Sequence, residues 1–118
     1  MTTKTILGTT VYGTPSGTYD GSSQDWYSDP ATAANYYQGR GGIQTITFSV
    51  DAFVGTMVLE ACLDANPVEA NWFTTYTYGS GTPLTDLHPE TITGNFTWMR
   101  VRVEGFDGGT INSITITY

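Results

Sequence analysis

Polar and apolar side chains alternate in four stretches of the chain, which is the pattern of a β-strand with one buried face. The clearest alternation covers Gly42–Val50, and it recurs in Trp72–Tyr78, Gly94–Glu104 and Thr110–Tyr118. In Trp72–Tyr78 the bulky aromatic side is expected to pack inward. In Gly94–Glu104 one side is apolar and the other carries arginines, so we expect one core face and one cationic face.

The segments between these stretches are rich in residues that favour turns. Thr56–Asp64 is a nearly continuous apolar run, which predicts a more fully buried strand. Asp51–Gly55 before it predicts a hairpin-like break, and Leu87–Pro89 has the look of an ordinary turn. Asp107–Gly109 predicts a tight turn that joins the last two strands as an antiparallel hairpin.

The amino-terminal third has a weaker pattern. Lys4–Tyr12 predicts a first strand, and Tyr19–Gly42 predicts mostly loop, with one helical turn at Ala31–Ala34 and a short strand at Asn35–Gln38. The total is six to eight strands, and no internal repeat is evident. The pattern therefore predicts an all-β fold, a single antiparallel β-sandwich or jelly roll that spans residues 1–118 as one domain.

Composition supports a β fold and limits the ligands. The chain has 118 residues with 14 glycines and 22 threonines, and only 13 % are charged, against about 25 % in an average protein. The formal net charge is −7, and the four cations are Lys4, Arg40, Arg100 and Arg102. So few cations argue against nucleic acid and against an anionic membrane surface. The amino terminus has no apolar signal-like stretch, so we expect synthesis in the cytoplasm.

Nothing in the sequence favours catalysis. Cys62 is the single cysteine, which excludes an intrachain disulfide, and its apolar neighbours indicate a core side chain. His88 is the single histidine, and no nucleophile-elbow motif accompanies it. A small sandwich also has little room for a substrate cleft between two carboxylates. We therefore expect a protein that is not an enzyme.

Three carboxylates lie within ten residues of a Gly/Ser-rich loop: Asp20, Asp25 and Asp29. Oxygen-rich loops of this kind can bind calcium, and the three are candidate metal ligands. Their spacing is not that of an EF-hand, and Asx-turns in a solvated loop explain them adequately. The expectation is no cofactor, with calcium as the alternative.

Aromatic side chains flank the same loop: Trp26, Tyr27, Tyr36 and Tyr37. Such rings are enriched at protein interfaces, and beside carboxylates they also suit the apolar faces of sugar rings. We interpret the four as candidates for an interface or for glycan binding. Rings on an open surface would favour sugar, and rings under a neighbouring subunit would favour assembly.

Arg100 and Arg102 share a strand face with Trp98. A protein with few cations is expected to pair them, and cross-strand bridges to Glu60, Glu104 or Asp64 are the simplest partners.

A resemblance to known proteins is carried by four segments, Gly55–Asp64, Asn71–Phe73, Gly94–Val103 and Gly109–Tyr118. In these segments the carboxyl half resembles small β-sandwich virion proteins of tailed bacteriophages, particularly those of aquatic cyanobacterial phages. The resemblance covers about half of the chain and has no counterpart in the amino-terminal third.

The resemblance implies a structural subunit of the virion, as a capsid decoration or as a neck or tail accessory. Its partners would be other virion proteins and further copies of itself, with no nucleic acid and no membrane. The alternative is a carbohydrate-binding module, with or without the assistance of calcium, that recognises glycans of a host surface.

Overall fold

The computed structural model describes residues 2–34, 36, 42–64, 66, 68 and 71–118. Eight strands form one antiparallel sheet. They are β1 (Thr3–Leu7), β2 (Thr10–Val11), β3 (Trp26–Tyr27), β4 (Ala31–Thr32), β5 (Ile43–Cys62), β6 (Phe73–Tyr78), β7 (Leu84–Thr93) and β8 (Trp98–Thr117). The predicted all-β antiparallel fold is confirmed, whereas the strand order does not establish a jelly roll. Within the described part of the chain, no helix is long and apolar enough to cross a membrane.

Two long strands form the centre of the sheet. β5 and β8 each have 20 residues and pair along almost their whole length, from Thr45 opposite Thr117 to Cys62 opposite Trp98. Along the edge that faces away from β5, β8 pairs with β1, β2, β3 and β4 in turn. Along the edge that faces away from β8, β5 pairs with β7 and then with β6.

Both long strands are irregular near their middle. The β5–β8 register shifts between Ser49 and Thr56, and Ala52 has a φ of 51°. Such bulges add a residue to one strand and bend it. The inward positions are Ile46, Phe48 and Val50 before the irregularity, and Met57, Leu59 and Ala61 after it. The inward residues have even numbers before the irregularity and odd numbers after it. The irregularity therefore lets both parts of β5 point apolar side chains into the same core.

The bend folds the sheet into two layers, an arrangement consistent with a β-sandwich. The first layer contains β1, β2, β7, the amino-terminal part of β5 and the carboxyl-terminal part of β8; the second contains β3, β4, β6 and the remaining parts of β5 and β8. Phe48 of the first layer stacks on Tyr78 of the second, with centroids 4.5 Å apart. On the opposite side, the Thr32 hydroxyl lies 3.3 Å from the Tyr118 hydroxyl.

The middle of the core is aromatic. Phe106 contacts the rings of Tyr12, Tyr19, Trp26 and Phe53 at centroid distances of 5.1 to 6.1 Å. Phe53 and Phe106 are fully buried at the bends of β5 and β8. The cluster therefore fills the space where the two layers turn into each other.

Four local predictions are wrong, and two share a cause. Asp107–Gly109 and Asp51–Gly55 do not reverse the chain, because β8 and β5 continue through them as bent strands. Leu87–Pro89 lies inside β7 rather than in a turn. Ala31–Ala34 begins with β4 rather than forming a helical turn, since Ala31 and Thr32 pair with β8.

Two further strand predictions are confirmed, and a third concerns residues that the structure mostly does not describe. The strands predicted over Gly42–Val50 and Thr56–Asp64 correspond to the two parts of β5, which begins at Ile43 and ends at Cys62. The short strand predicted at Asn35–Gln38 lies outside the described residues except for Tyr36.

Candidate functional site

The outer face of the second layer carries an organised cluster of arginine and aromatic side chains. Met99, Val101 and Val103 of β8 point into the core, so the residues between them point outward. We call this group the arginine–aromatic cluster; its members are Tyr27, Tyr36, Glu60, Trp72, Trp98, Arg100, Arg102 and Glu104. The predicted division of β8 into a core face and a cationic face is confirmed.

Glu60 holds both arginines. It lies directly opposite Arg100 in the β5–β8 register, and Arg100 Nε donates to Glu60 Oε1 at 2.8 Å. Arg102 Nη1 donates to Glu60 Oε2 at 3.1 Å, and Arg102 Nη2 lies 3.6 Å from Glu104 Oε1. Glu60 is only 5 % exposed and Arg100 8 %. The predicted cross-strand pairing with Glu60 is confirmed, whereas Glu104 contacts Arg102 within the same strand, β8.

Two rings enclose the Arg100 guanidinium. Its Cζ atom lies 4.2 Å from the centroid of Tyr27 and 4.4 Å from that of Trp72. Cation–π contacts of this kind are stronger where the cation is shielded from water. Val58 and Cys62, which share this outward side of β5 with Glu60, are buried as well. Glu60 and the two rings therefore fix Arg100 before any ligand arrives.

The cluster continues past Trp98. The Tyr36 ring meets the Trp98 ring edge to face, with centroids 5.1 Å apart. Tyr27 is 40 % exposed and Tyr36 38 %. The cluster therefore presents two aromatic rings to solvent on a rigid base.

Of the four aromatic candidates, two reach this surface. Tyr27 and Tyr36 belong to the cluster. Trp26 alternates with Tyr27 in β3, points the other way and is 6 % exposed, so it has no face left for a ligand. Tyr37 lies outside the described residues.

Trp72 belongs to the cluster, although the alternation placed it on the inward side with Tyr76 and Tyr78. The β5–β6 register shifts, so that Leu59 faces Tyr76 while Glu60 faces Thr74. Thr74 therefore shares the outward side with Glu60, and Trp72 lies two residues before it. No residue type in Trp72–Tyr78 marks this irregularity.

The three candidate metal ligands make separate contacts. The Asp20 carboxylate accepts from the amides of Ser22 and Ser23 and from the Ser23 hydroxyl, at 2.7 to 2.9 Å. The Ser23 hydroxyl bond and then the two amides lower the pKa of Asp20 from 3.8 to about 2. Asp25 accepts from the Gly105 amide at 3.0 Å, and Asp29 is exposed. Among the described residues, no three His, Cys, Asp or Glu side chains are grouped to hold a metal ion.

A second polar group lies between β6 and β7. His88 Nε2 is 3.2 Å from the Tyr76 hydroxyl and 3.2 Å from Glu90 Oε1. The Tyr78 hydroxyl donates to Asp86 Oδ2 at 3.1 Å. Burial, and then this bond to Asp86, raise the pKa of Tyr78 above its usual value. These contacts join the two layers at one edge of the core.

A shallow cavity lies at the end of the second layer. Its volume is about 280 Å³, and it is lined by Leu63, Asp64, Asn71 and Phe73. Asn71 Nδ2 donates to Asp64 Oδ2, and the centroids of the Phe73 and Phe96 rings are 5.7 Å apart. An aromatic ring beside an amide and a carboxylate is a combination that suits a sugar.

Comparison with protein-family models, with curated proteins and with solved structures finds no match for this chain.

Proposed function

We propose that this protein is a non-enzymatic structural subunit of a phage virion, a capsid decoration or a neck or tail accessory, that attaches to other virion proteins through the arginine–aromatic cluster. One observation carries the proposal: tyrosine, tryptophan and arginine are concentrated on one outward face. These are the residue types enriched at interface hot spots. The resemblance of the carboxyl half to small virion proteins supplies the biological setting.

The cluster is suited to protein contact because it is already ordered. Arg100 is held between two rings and bonded to Glu60, so little side-chain freedom remains to be lost on binding. Immobilising a flexible side chain at an interface costs about 0.5–1.5 kcal/mol. A pre-ordered arginine and its rings avoid much of that cost.

Mass spectrometry of purified particles of the encoding phage tests the proposal. We expect the protein at a fixed copy number per particle. Particles assembled with Tyr27→Ala should retain at least tenfold less of it, since hot-spot residues contribute about 2 kcal/mol or more. Tyr12→Ala is the matched control, because Tyr12 is similarly exposed but lies on Phe106 away from the cluster. Absence of the protein from particles would refute the proposal.

The second candidate is a glycan-binding module, located at the same end of the molecule. It is favoured by the cavity at Asp64, Asn71 and Phe73 and by the open ring of Tyr27. A glycan array probed with and without calcium tests it. Binding that Phe73→Ala abolishes would support this candidate, and a blank array in both conditions would remove it.

A further inference from the structure

Hydroxyl-bearing side chains cover the outer face of the first layer. The strand register aligns them in rows across four strands. One row consists of Thr3, Thr117, Thr45 and Thr91, and the next of Thr5, Thr115, Thr47 and Pro89. We call these two rows, together with Ser49, Ser113 and Thr93, the threonine face; the same outward side also carries the exposed apolar side chains of Ile43, opposite Thr93, and Leu87, opposite Ser49. The residues that alternate with them, such as Ile46 and Ile116, are fully buried, so the threonines point outward.

The threonine face is uncharged in a strongly acidic protein. The net charge is −7, yet none of the residues that form its rows is charged. Asp86 and Glu90 of β7 point the other way, toward Tyr78 and His88. Lys4 of β1 also points away from it and contacts Thr32.

A hydroxyl face is complementary to itself. Each threonine hydroxyl both donates and accepts, whereas a carboxylate only accepts and an ammonium only donates. The hydroxyls of Thr3 and Thr117 lie 3.1 Å apart, and those of Thr45 and Thr91 2.9 Å apart. One such bond uses one donor and one acceptor, so each pair retains a donor and several lone pairs. The face carries no aromatic ring among its members, which makes it a poor surface for stacking sugars.

We infer that two copies of this chain associate through their threonine faces. An isologous contact needs a surface that matches itself after a two-fold rotation, and hydroxyl rows meet that condition. Two copies with a charge of −7 repel each other, and a face without carboxylates lets them meet with the least repulsion. The inference identifies a second copy of the chain as one partner of the proposed virion subunit. Its biological meaning rests on the proposed function.

The size of the face predicts weak association. Four strands about 4.8 Å apart, and three rows about 6.8 Å apart, cover roughly 400 Å². A standard stable interface buries about 800 Å² on each partner. The dimer is therefore expected to form in a concentration-dependent way and to need neighbouring contacts in an assembly for permanence.

Sedimentation velocity over a concentration series tests the inference. We expect a monomer–dimer equilibrium for the native chain and at least tenfold weaker association for Thr47→Glu, which brings two carboxylates together at the contact. Thr5→Glu is a second variant; Thr5 is an exposed residue of the edge strand β1, so this substitution should disturb the fold less than Thr47→Glu in the central strand β5. Thr77→Glu is the matched control, because Thr77 is an exposed strand residue of the second layer and should leave association unchanged. Circular dichroism establishes that each variant is folded.

The results separate this inference from the proposed function. A native chain that stays monomeric throughout, or a dimer that both Thr47→Glu and Thr5→Glu leave intact, overturns the inference, even if the protein is present in particles. A dimer lost in both variants supports the inference, even if the protein is absent from particles and the proposed function fails. A dimer weakened only by Tyr27→Ala assigns self-association to the arginine–aromatic cluster and also overturns the inference.

Discussion

At the scale of single residues, Glu60 is the group on which the arginine–aromatic cluster depends. Its two carboxylate oxygens bind two different arginines, and its side chain is almost inaccessible to water. Removing one partner of a buried ion pair leaves the other charge uncompensated, which costs more than the pair itself contributes. The cluster should therefore respond very differently to the loss of Glu60 and to the loss of an exposed neighbour.

We predict that Glu60→Gln lowers the free energy of unfolding by about 3 kcal/mol, because the buried Arg100 loses the carboxylate charge that lies 2.8 Å from its Nε. Glu104→Gln is the control: Glu104 is 46 % exposed and lies 3.6 Å from Arg102, so its loss should cost less than about 1 kcal/mol. Urea denaturation of both variants measures the difference. Equal effects would mean that Glu60 is not the dominant partner.

Asp20 gives the protein an acid-sensitive contact. Its folded pKa, about 2, lies below the ordinary value of 3.8, so its bonds to Ser22 and Ser23 add stability above pH 3.8 and lose it as the pH falls toward 2. Asp20→Asn should therefore lower Tm at neutral pH by more than it does near pH 2. Thermal unfolding of both proteins across this range tests the prediction. A difference in Tm that does not change with pH would contradict it.

Residue chemistry was largely predictable here, but residue position was less so. Pairing of Arg100 and Arg102 followed from the small number of cations and from their shared strand face. The location of Trp72 did not follow, because a register shift between β5 and β6 reverses the alternation. The sequence pattern assigns the adjacent residues Trp26 and Tyr27 to the same candidate surface. In β3 their side chains point to opposite sides of the sheet, so only Tyr27 is exposed.

At the scale of elements, the bends of β5 and β8 shape the fold. Ala52 of β5 and Gly109 of β8 both have positive φ, at 51° and 82°. A Cβ atom on Gly109 would lie 2.1 Å from the Ala52 carbonyl oxygen. Only glycine fits at this position, for steric as well as conformational reasons.

We predict that Gly109→Ala destabilises the protein by at least about 3 kcal/mol, since backbone clash adds to a conformational cost of about 1–2 kcal/mol. Gly105→Ala is the matched control, because Gly105 also has a positive φ, 63°, but has open space around its Cβ position. It should show only the conformational cost. Chemical denaturation measures both, and similar losses would argue against the steric explanation.

The bends also explain which elements the sequence could predict. Alternation and continuous apolar runs locate strands because both reflect local burial: alternation identified the first part of β5, and an apolar run identified the second. An interruption that contains glycine is compatible either with a reversal of the chain or with a bulge inside one strand. Here distant partners decide: Asp51 and Thr110 pair with each other, so both interruptions become bends at the same level of the sheet.

At the scale of the whole molecule, charge is distributed unevenly over two outer faces. The second layer carries an ion network with aromatic rings, and the first layer carries neutral hydroxyls. We predict that high ionic strength strengthens self-association, because salt screens the repulsion between two chains of net charge −7 while hydroxyl contacts are little affected. Sedimentation velocity at low and high salt measures this. Weaker association at high salt would indicate an interface of opposite charges instead.

The strand order has a consequence for how the chain folds. Among the residues that the structure describes, β1, β2, β3 and β4 pair with no strand but β8, which is the last of the eight in chain order. The central pair itself joins residues that are 36 to 72 positions apart. Such distant pairing forms slowly, because the chain loses entropy in closing long loops before the stabilising contacts between the strands are made. The amino-terminal strands, although synthesised before β8, therefore cannot enter the sheet until β8 is in place.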